Sequence, residues 1–240
     1  MKSLFCIISV FVLLKFPTNS YSNEPCFDES ANFMAHFNDC QKKAERGDAL
    51  AQYNLAVMYD DGRGIPQDFQ KAIYWYTKAA KQGDTKAQTS VARIHFIGFP
   101  TKNSRDVEKA IYWYTRAAQK RDVQAQAMLG WIYRQGAPNS PKDYNKAIFW
   151  YAKAAEQGNT VAQINLGLMY FEAEGTPKNP MKAYAFFSMA EANGEPDASE
   201  LKQLVAAEMP PEQQLQAQQL ARECLDPYSV GTECLVFDRR

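Results

Sequence analysis

The stretch Lys71-Ala72-Ile73-Tyr74-Trp75-Tyr76 occurs four times in this chain with small changes. The copies begin at Lys71, Lys109, Lys146 and Lys182, which are 38, 37 and 36 residues apart. A fixed period in this range is typical of solenoids, in which each repeat buries its face on its neighbours. The period therefore directs the search for function to a surface rather than to a pocket.

Each repeat contains a predicted first helix that begins near an Ala-Gln pair. Apolar residues follow the alanine at positions +4, +7 and +8, which places them on one face of an α-helix. The alanines are Ala51, Ala87, Ala125 and Ala162. Position +5 is always small, which lets a neighbouring helix approach closely. Its occupants are Ala56, Ala92, Gly130 and Gly167.

A predicted second helix begins three residues before each repeat lysine, at a residue type that caps helices. These N-cap residues are Asp68, Asp106, Asp143 and Asn179. Each stabilises its helix by about 1 kcal/mol relative to alanine. Gly83, Gly158 and Gly194 end the second helices as left-handed C-caps. Arg121 replaces glycine in the remaining copy, so we expect a strained or differently shaped cap there.

The order of these signals resembles the Sel-one-like repeat, a relative of the tetratricopeptide repeat. The shared pattern is Lys-Ala-x-x-Trp-Tyr-x-Lys-Ala-Ala, glycine, and then Ala-Gln-x-x-Leu-Gly-x-Met-Tyr, over residues 47–193. The resemblance implies an all-α fold, an α/α solenoid of tetratricopeptide-like helix pairs in a right-handed superhelix. The predicted repeats are 47–82, 83–120, 121–157 and 158–193, with capping segments 23–46 and 194–225 and a tail 226–240.

The first 22 residues have the pattern of a secretory signal peptide. Lys2 gives a positive start, residues 4–14 are apolar apart from one serine, and Ser20-Tyr21-Ser22 fits cleavage after Ser22. The run is shorter than the about 20 apolar residues that cross a bilayer. We therefore expect export to the periplasm or secretion, without membrane insertion after cleavage. An uncleaved anchor is the alternative.

Four cysteines remain after the predicted cleavage: Cys26, Cys40, Cys224 and Cys234. An even number in an exported protein suggests disulfides, and three connectivities are possible. A disulfide needs Cα atoms within about 7 Å, whereas a solenoid separates its two ends by much more. This geometry favours Cys26–Cys40 with Cys224–Cys234. Four buried thiols are the alternative.

The aromatic residues that recur in the second helices are interpreted as packing between repeats. Positions that differ between copies are free of that constraint, and the resemblance implies that first helices line the concave surface. The candidate partner-binding residues there are Tyr53, Val57, Arg93, Met128, Trp131 and Leu168. Trp, Tyr and Arg are enriched at binding hot spots, which makes Trp131 the strongest candidate. Alternatively, these side chains pack against a terminal helix or have no role.

The sequence carries no recognised catalytic motif and predicts neither a cofactor nor a metal site. His95 replaces a tyrosine of the other copies and is interpreted as a structural aromatic, and His36 has no zinc-ligand partner. Asp60-Asp61-Gly62 resembles part of a calcium loop without its closing glutamate, so its acids are interpreted as solvated. Lys+Arg and Asp+Glu are both 27, which gives no basis for a nucleic-acid partner.

The resemblance implies protein–protein interaction, so we expect a non-enzymatic, exported adaptor. It would hold a partner protein or peptide on its concave surface, in envelope signalling or host contact. One rival is β-lactam binding or hydrolysis, which is associated with a cysteine-rich secreted branch of this repeat family. That branch has cysteines within its repeats, and this chain does not. Another rival is a structural scaffold whose second helices pair two copies. The oligomeric state stays open.

Overall fold

A computed structural model describes residues 33–62, 65–98, 105–137 and 139–225. Within these residues the protein is all-α, which confirms the predicted fold class of a helical-repeat solenoid. The eleven helices described are α1 (Phe33–Glu45), α2 (Ala49–Asp61), α3 (Phe69–Lys81), α4 (Thr85–Ile97), α5 (Val107–Gln119), α6 (Val123–Gln135), α7 (Tyr144–Ala155), α8 (Thr160–Glu172), α9 (Pro180–Ala192), α10 (Asp197–Ala207) and α11 (Pro211–Leu225). The predicted signal segment lies outside the described residues.

The chain divides into two compact units, Met1–Ala125 and Gln126–Arg240. In unit 1, α1 packs on α2, and α2, α3 and α4 each pack on the next helix along the chain. In unit 2, α7 packs on α8 and α8 packs on α9, while α9 contacts both α10 and α11. Each unit is therefore a succession of helix pairs. Among the described helices none is long and apolar enough to cross a membrane.

The predicted N-caps are present in the structure. In each second helix, the side-chain Oδ1 of the cap accepts a hydrogen bond from the backbone N–H of the repeat lysine, at 2.9–3.0 Å in all four. The first helices use the same device toward the repeat alanine. Their caps are Asp48, Asp84, Asp122 and Asn159, at 2.7–2.8 Å. The sequence thus fixes where both helices of each pair begin.

The predicted irregular cap at Arg121 is confirmed. Gly83, Gly158 and Gly194 have φ angles of 97°, 82° and 89°, and Arg121 has a φ of 67° at the corresponding place. A residue with a Cβ costs about 1 kcal/mol in this left-handed conformation. Ala173 has a φ of 60° at the end of α8, which the sequence did not predict.

The last aromatic residue of each repeated stretch lies in the core, as interpreted from the sequence, whereas Trp75 and Trp150 before it are only partly buried. Tyr76, Tyr114, Tyr151 and Phe187 are at most 2% exposed. The small +5 residues lie directly under these rings: a Cβ on Gly130 would be 2.5 Å from Cδ1 of Tyr151, and one on Gly167 would be 2.5 Å from Cε1 of Phe187. The close approach predicted for position +5 is therefore confirmed in unit 2.

The glutamine of the Ala-Gln pair donates a hydrogen bond to a backbone carbonyl at the end of the preceding helix. The Nε2 atom of Gln52 donates to the carbonyl oxygen of Ala44 at 3.0 Å, and Gln88 bonds Ala80 in the same way. In unit 2, Gln163 donates to the carbonyl of Ala155 at 3.2 Å. The last carbonyls of a helix lack partners within that helix, and a buried one must find a partner elsewhere. These glutamines supply that partner.

One cysteine of each expected pair lies within the described residues. Cys40 is buried in the core between α1 and α2, where its Sγ donates to the carbonyl oxygen of Ala51 at 3.5 Å. The Cys26–Cys40 pairing stays a prediction. Cys224 is disulfide-bonded. Cys26 and Cys234 lie outside the described residues, and the Cys224–Cys234 pairing stays a prediction.

Candidate binding surfaces

Two of the first helices, α4 and α6, keep an accessible stripe at positions +3, +6 and +10 from the repeat alanine. In unit 1 this stripe on α4 consists of Ser90, Arg93 and Ile97. In unit 2 the stripe on α6 consists of Met128, Trp131 and Gln135. Three of the six predicted binding residues, Arg93, Met128 and Trp131, therefore retain accessible surface.

The other three predicted binding residues are in the interior. Tyr53 is 2% exposed, Val57 0% and Leu168 6%. The reason is that α2 and α8 are buried on every face along their middle turns, residues 51–58 and 162–170. The ring of Tyr53, for example, lies 5.7 Å from the ring of Tyr76. Partner binding by these three residues stays a prediction, and their burial argues against it.

A buried ion pair lies behind the accessible stripe of unit 1. The Nη2 atom of Arg93 is 2.8 Å from Oδ2 of Asp60, and the hydroxyl of Tyr76 donates to the same oxygen at 3.2 Å. The Asp60 side chain is only 12% exposed, whereas that of Arg93 is 36% exposed. The interpretation of Asp60 as solvated is therefore wrong, because Arg93, 33 residues later, covers and neutralises it.

Unit 2 has a larger charged cluster around Arg134, whose side chain is 10% exposed. Its Nε donates to Glu174 at 2.6 Å, its Nη2 to Glu172 at 3.0 Å and its Nη1 to the Oδ1 atom of Asn165 at 2.8 Å. Asn165 in turn donates to the carbonyl of Val161 at 2.8 Å. Two carboxylates thus share one guanidinium. Sequence reasoning missed this cluster because its other members lie 31 to 40 residues after Arg134.

The Arg134 cluster perturbs its neighbours. Burial raises the pKa of Glu172, and Glu174 raises it further, while Arg134 opposes both. Burial also raises the pKa of Tyr151, whose hydroxyl has no hydrogen-bond partner among the described residues. The pKa of His95 in unit 1 is lowered by partial burial and by Lys109. We attribute these shifts to packing, because burial is the largest cause of each one.

A shallow groove of about 570 Å³ in unit 2 is lined by Tyr133, Asp143, Tyr144, Lys146 and Gly175, among others. Lys146 is held at 2.9 Å from Asp143 and at 5.2 Å from the ring centre of Tyr133. Its pKa is raised by the hydrogen bond to Asp143. A lysine so paired serves as the structural partner of a helix cap rather than as a nucleophile.

The outer faces of the second helices carry exposed aromatic rings that sequence reasoning missed. Tyr74, Tyr112 and Phe149 are 51%, 52% and 49% exposed. Each ring stands nearly perpendicular to the tryptophan that follows it, at 4.9–5.0 Å between centres. The sequence feature that could have indicated them is in the fourth copy, where Ala185 replaces the aromatic residue and is 1% exposed.

A family model for the Sel1 repeat matches residues 49–84, 85–122, 123–159 and 160–195. The chain belongs to the Sel1 repeat family. Its helix pairs, their caps and the small +5 residues are the structural counterparts of these four matched segments. Sel1 repeats generally mediate protein–protein interaction, and the family is typically non-catalytic and scaffold-like.

Two solved Sel1 structures share the fold. One is c5321, a protective antigen of uropathogenic Escherichia coli, with 33% identity, a TM-score of 0.70, and coverage of 82% of this chain and 42% of that one. The other is a Sel1 repeat protein from Oxalobacter formigenes, with 30% identity, a TM-score of 0.63, and coverage of 79% and 78%. The match therefore includes less than half of the E. coli antigen.

Similarity to curated proteins is confined to short segments. A putative sel1-like repeat-containing protein of Acanthamoeba polyphaga mimivirus is 49% identical over 41 residues. The mouse DAP3-binding cell death enhancer 1 is 42% identical over 45 residues. These segments span 7% and 9% of the two relatives, so the similarity extends to about one repeat of each.

Proposed function

We propose that this Sel1 repeat protein is an exported adaptor that binds a partner protein or peptide through the accessible stripes of its first helices. The observation that carries the proposal is in α6. Met128 and Trp131 keep accessible surface, whereas Ala127, Leu129 and Ile132 on the same helix are buried. The proposed contact residue of unit 1 is Arg93.

A half-buried tryptophan beside a methionine fits a protein interface. Tryptophan contributes a large rigid surface at low conformational entropy, and it is among the residues that most often dominate binding energy. Methionine adapts its shape to irregular partner surfaces. In unit 1, Asp60 holds the Arg93 guanidinium at 2.8 Å, so this side chain loses less freedom when a partner binds. Both stripes are thus suited to contact an extended or helical segment.

Export is the second part of the proposal. It rests on the charged start, the short apolar run and the Ser20-Tyr21-Ser22 cleavage pattern of the first 22 residues. A mature chain that begins at Asn23 in a periplasmic or culture-supernatant fraction would support it. Full-length protein confined to the cytosol would contradict it.

The binding proposal is tested by affinity capture from the native compartment with tagged parent and Trp131→Ala protein. We expect the variant to lose at least about tenfold in affinity for the captured partner, since hot-spot truncations cost more than about 1.4 kcal/mol. Phe149→Ala is the matched control, because it removes an exposed aromatic residue on the outer face of the same unit. Equal binding by parent and Trp131→Ala would remove Trp131 from the interface.

A further inference from the structure

The outer face of α3 and α5 in unit 1 combines exposed aromatic rings with positive charge. Tyr74 and Tyr112 are about half exposed, and each has a cation one turn later on the same helix. The Nζ atom of Lys78 lies 4.7 Å from the centre of the Tyr74 ring, and the Nη1 atom of Arg116 donates to the Tyr112 hydroxyl at 3.0 Å. We define the basic aromatic face as Tyr74, Lys78, Lys81, Tyr112, Arg116 and Lys120, all of them exposed.

The last two helices of unit 2 present the complementary chemistry. Leu204 on α10 and Leu215 on α11 are 43% and 67% exposed. Acidic residues surround them in sequence, and of the two basic residues between Asp197 and Leu225, Lys202 is already paired with Glu191. We define the acidic leucine end as Asp197, Glu200, Leu204, Glu212, Leu215 and Glu223, all of them exposed.

We infer that the occupant of the basic aromatic face is the acidic leucine end of a second copy of this chain. Exposed apolar side chains within a rim of charge are the composition of an interface, and opposite charge on the two faces steers them together. Cleavage after Ser22 removes Lys2 and Lys15 and leaves 25 basic and 27 acidic residues, so the net charge of −2 makes repulsion between two copies weak.

Unit 2 shows how a helix covers the outer face of a second helix. The aromatic position of α9 is Ala185, which is 1% exposed, and α11 packs against α9. The corresponding residues of α3 and α5 are the half-exposed Tyr74 and Tyr112. A docking helix there would meet tyrosine rings rather than an alanine, which suits the leucine side chains of α10 and α11.

Such a contact joins two different surfaces: the basic aromatic face of one copy and the acidic leucine end of another. A contact of this kind either closes into a ring, of which a reciprocal dimer is the smallest, or extends into a short filament. We therefore expect purified parent protein to show a weight-average mass that rises with concentration. The rise in mass should be large at an ionic strength of about 0.01 M. It should be about tenfold smaller near 1 M, where the Debye length falls to about 3 Å.

Sedimentation velocity of three charge variants tests the inference. Lys78→Glu/Arg116→Glu alters the basic aromatic face, and Glu200→Lys/Glu212→Lys alters the acidic leucine end. Lys42→Glu/Arg46→Glu, on exposed residues at the C-terminal end of α1, changes the net charge by the same amount as the first variant and serves as its control. We expect each of the first two variants to stay monomeric and the control to assemble like the parent. Circular dichroism establishes that all three are folded.

The decisive sample is a mixture of the two monomeric variants. Each retains one intact surface of opposite kind, and the reversed charges of the two altered surfaces complement each other, so the mixture should assemble although neither variant does so alone. A parent that is monomeric up to about 0.1 mM at low salt would overturn the inference. So would an acidic-end variant that still dimerises, because that outcome means that two identical faces pair. Neither result bears on the Trp131 surface, so the two proposals fail separately.

Discussion

The two units place opposite charges at the same position of the repeat. Asp60 in unit 1 and Arg134 in unit 2 both lie nine residues after the repeat alanine. Asp60 is neutralised by Arg93 and accepts a hydrogen bond from Tyr76. Arg134 is neutralised by two glutamates, and Tyr151, which corresponds to Tyr76, has no hydrogen-bond partner among the described residues.

The difference teaches that this position accepts a charge of either sign, while the second and fourth copies carry Phe96 and Phe171 there. In each unit the counter-charge comes from 33 or more residues later, so the pair links two successive repeats. Unit 2 depends more on its cation, because Arg134 is far less exposed than Arg93 and holds two carboxylates instead of one. Four substitutions test how far this comparison extends.

The largest expected effect is that of Arg134→Met. The substitution leaves Glu172 and Glu174 without a counter-charge, and breaking a buried pair in this way costs about 3 kcal/mol. Arg93→Met in unit 1 removes a more exposed cation and should cost about 1 kcal/mol or less. Urea unfolding followed by circular dichroism measures both. The triple variant Arg134→Met/Glu172→Gln/Glu174→Gln should recover most of the loss, and equal losses for the two single variants would contradict the comparison.

The second effect concerns the small residue under the core ring. Gly130→Ala puts a Cβ 2.5 Å from the Tyr151 ring, and overpacking of this kind costs about 3 kcal/mol. Better helix propensity returns about 1 kcal/mol, so we expect a net loss of about 2 kcal/mol. Unit 1 already has alanine at this position, so Ala92→Gly there should cost only about 1 kcal/mol of propensity. Thermal unfolding compares them, and a Gly130→Ala variant as stable as its parent would show that the ring moves freely.

The third effect separates the two core tyrosines. Tyr76→Phe removes a hydrogen bond to a carboxylate and should destabilise by about 1.5 kcal/mol. Tyr151→Phe removes a buried hydroxyl that has no described partner and should be neutral or slightly stabilising. The measured quantity is again the free energy of unfolding in urea. A comparable loss in both variants would mean that the Tyr151 hydroxyl is satisfied in solution.

The smallest effect is a change in pH dependence. Burial and Glu174 raise the pKa of Glu172, so between its ordinary and raised pKa the folded protein binds more protons than the unfolded one. The free energy of unfolding therefore falls as pH rises through that window. In Glu172→Gln this decline should disappear, and Glu174→Gln should reduce it. Melting temperatures measured from about pH 4 to about pH 7 test this, since carboxylates titrate there. An unchanged slope in Glu172→Gln would contradict it.

The sequence predicts those structural features that depend on residues close together along the chain. Asp68 and Asp143 identify helix starts because a cap bonds three residues ahead. Arg121 identifies an irregular turn because glycine is missing from a position that needs a positive φ. The Arg134 cluster could not be predicted, because periodicity does not reveal which distant charges share a helix interface. The burial of Tyr53 and Val57 was missed for a related reason: variation between copies indicates relaxed packing only when the neighbouring helix is known.

The glutamine that follows each repeat alanine has a consequence for the number of repeats. Gln52, Gln88 and Gln163 all bond a backbone carbonyl of the preceding helix rather than a particular side chain. Every residue, proline included, has a backbone carbonyl, so this hydrogen bond does not depend on which repeat comes before. A duplication or loss of one whole repeat, such as residues 49–84, would recreate the same junction at the new boundary. The backbone junction would therefore survive a change of length by one helix pair, although loss of residues 49–84 would remove Asp60, the ion-pair partner of Arg93.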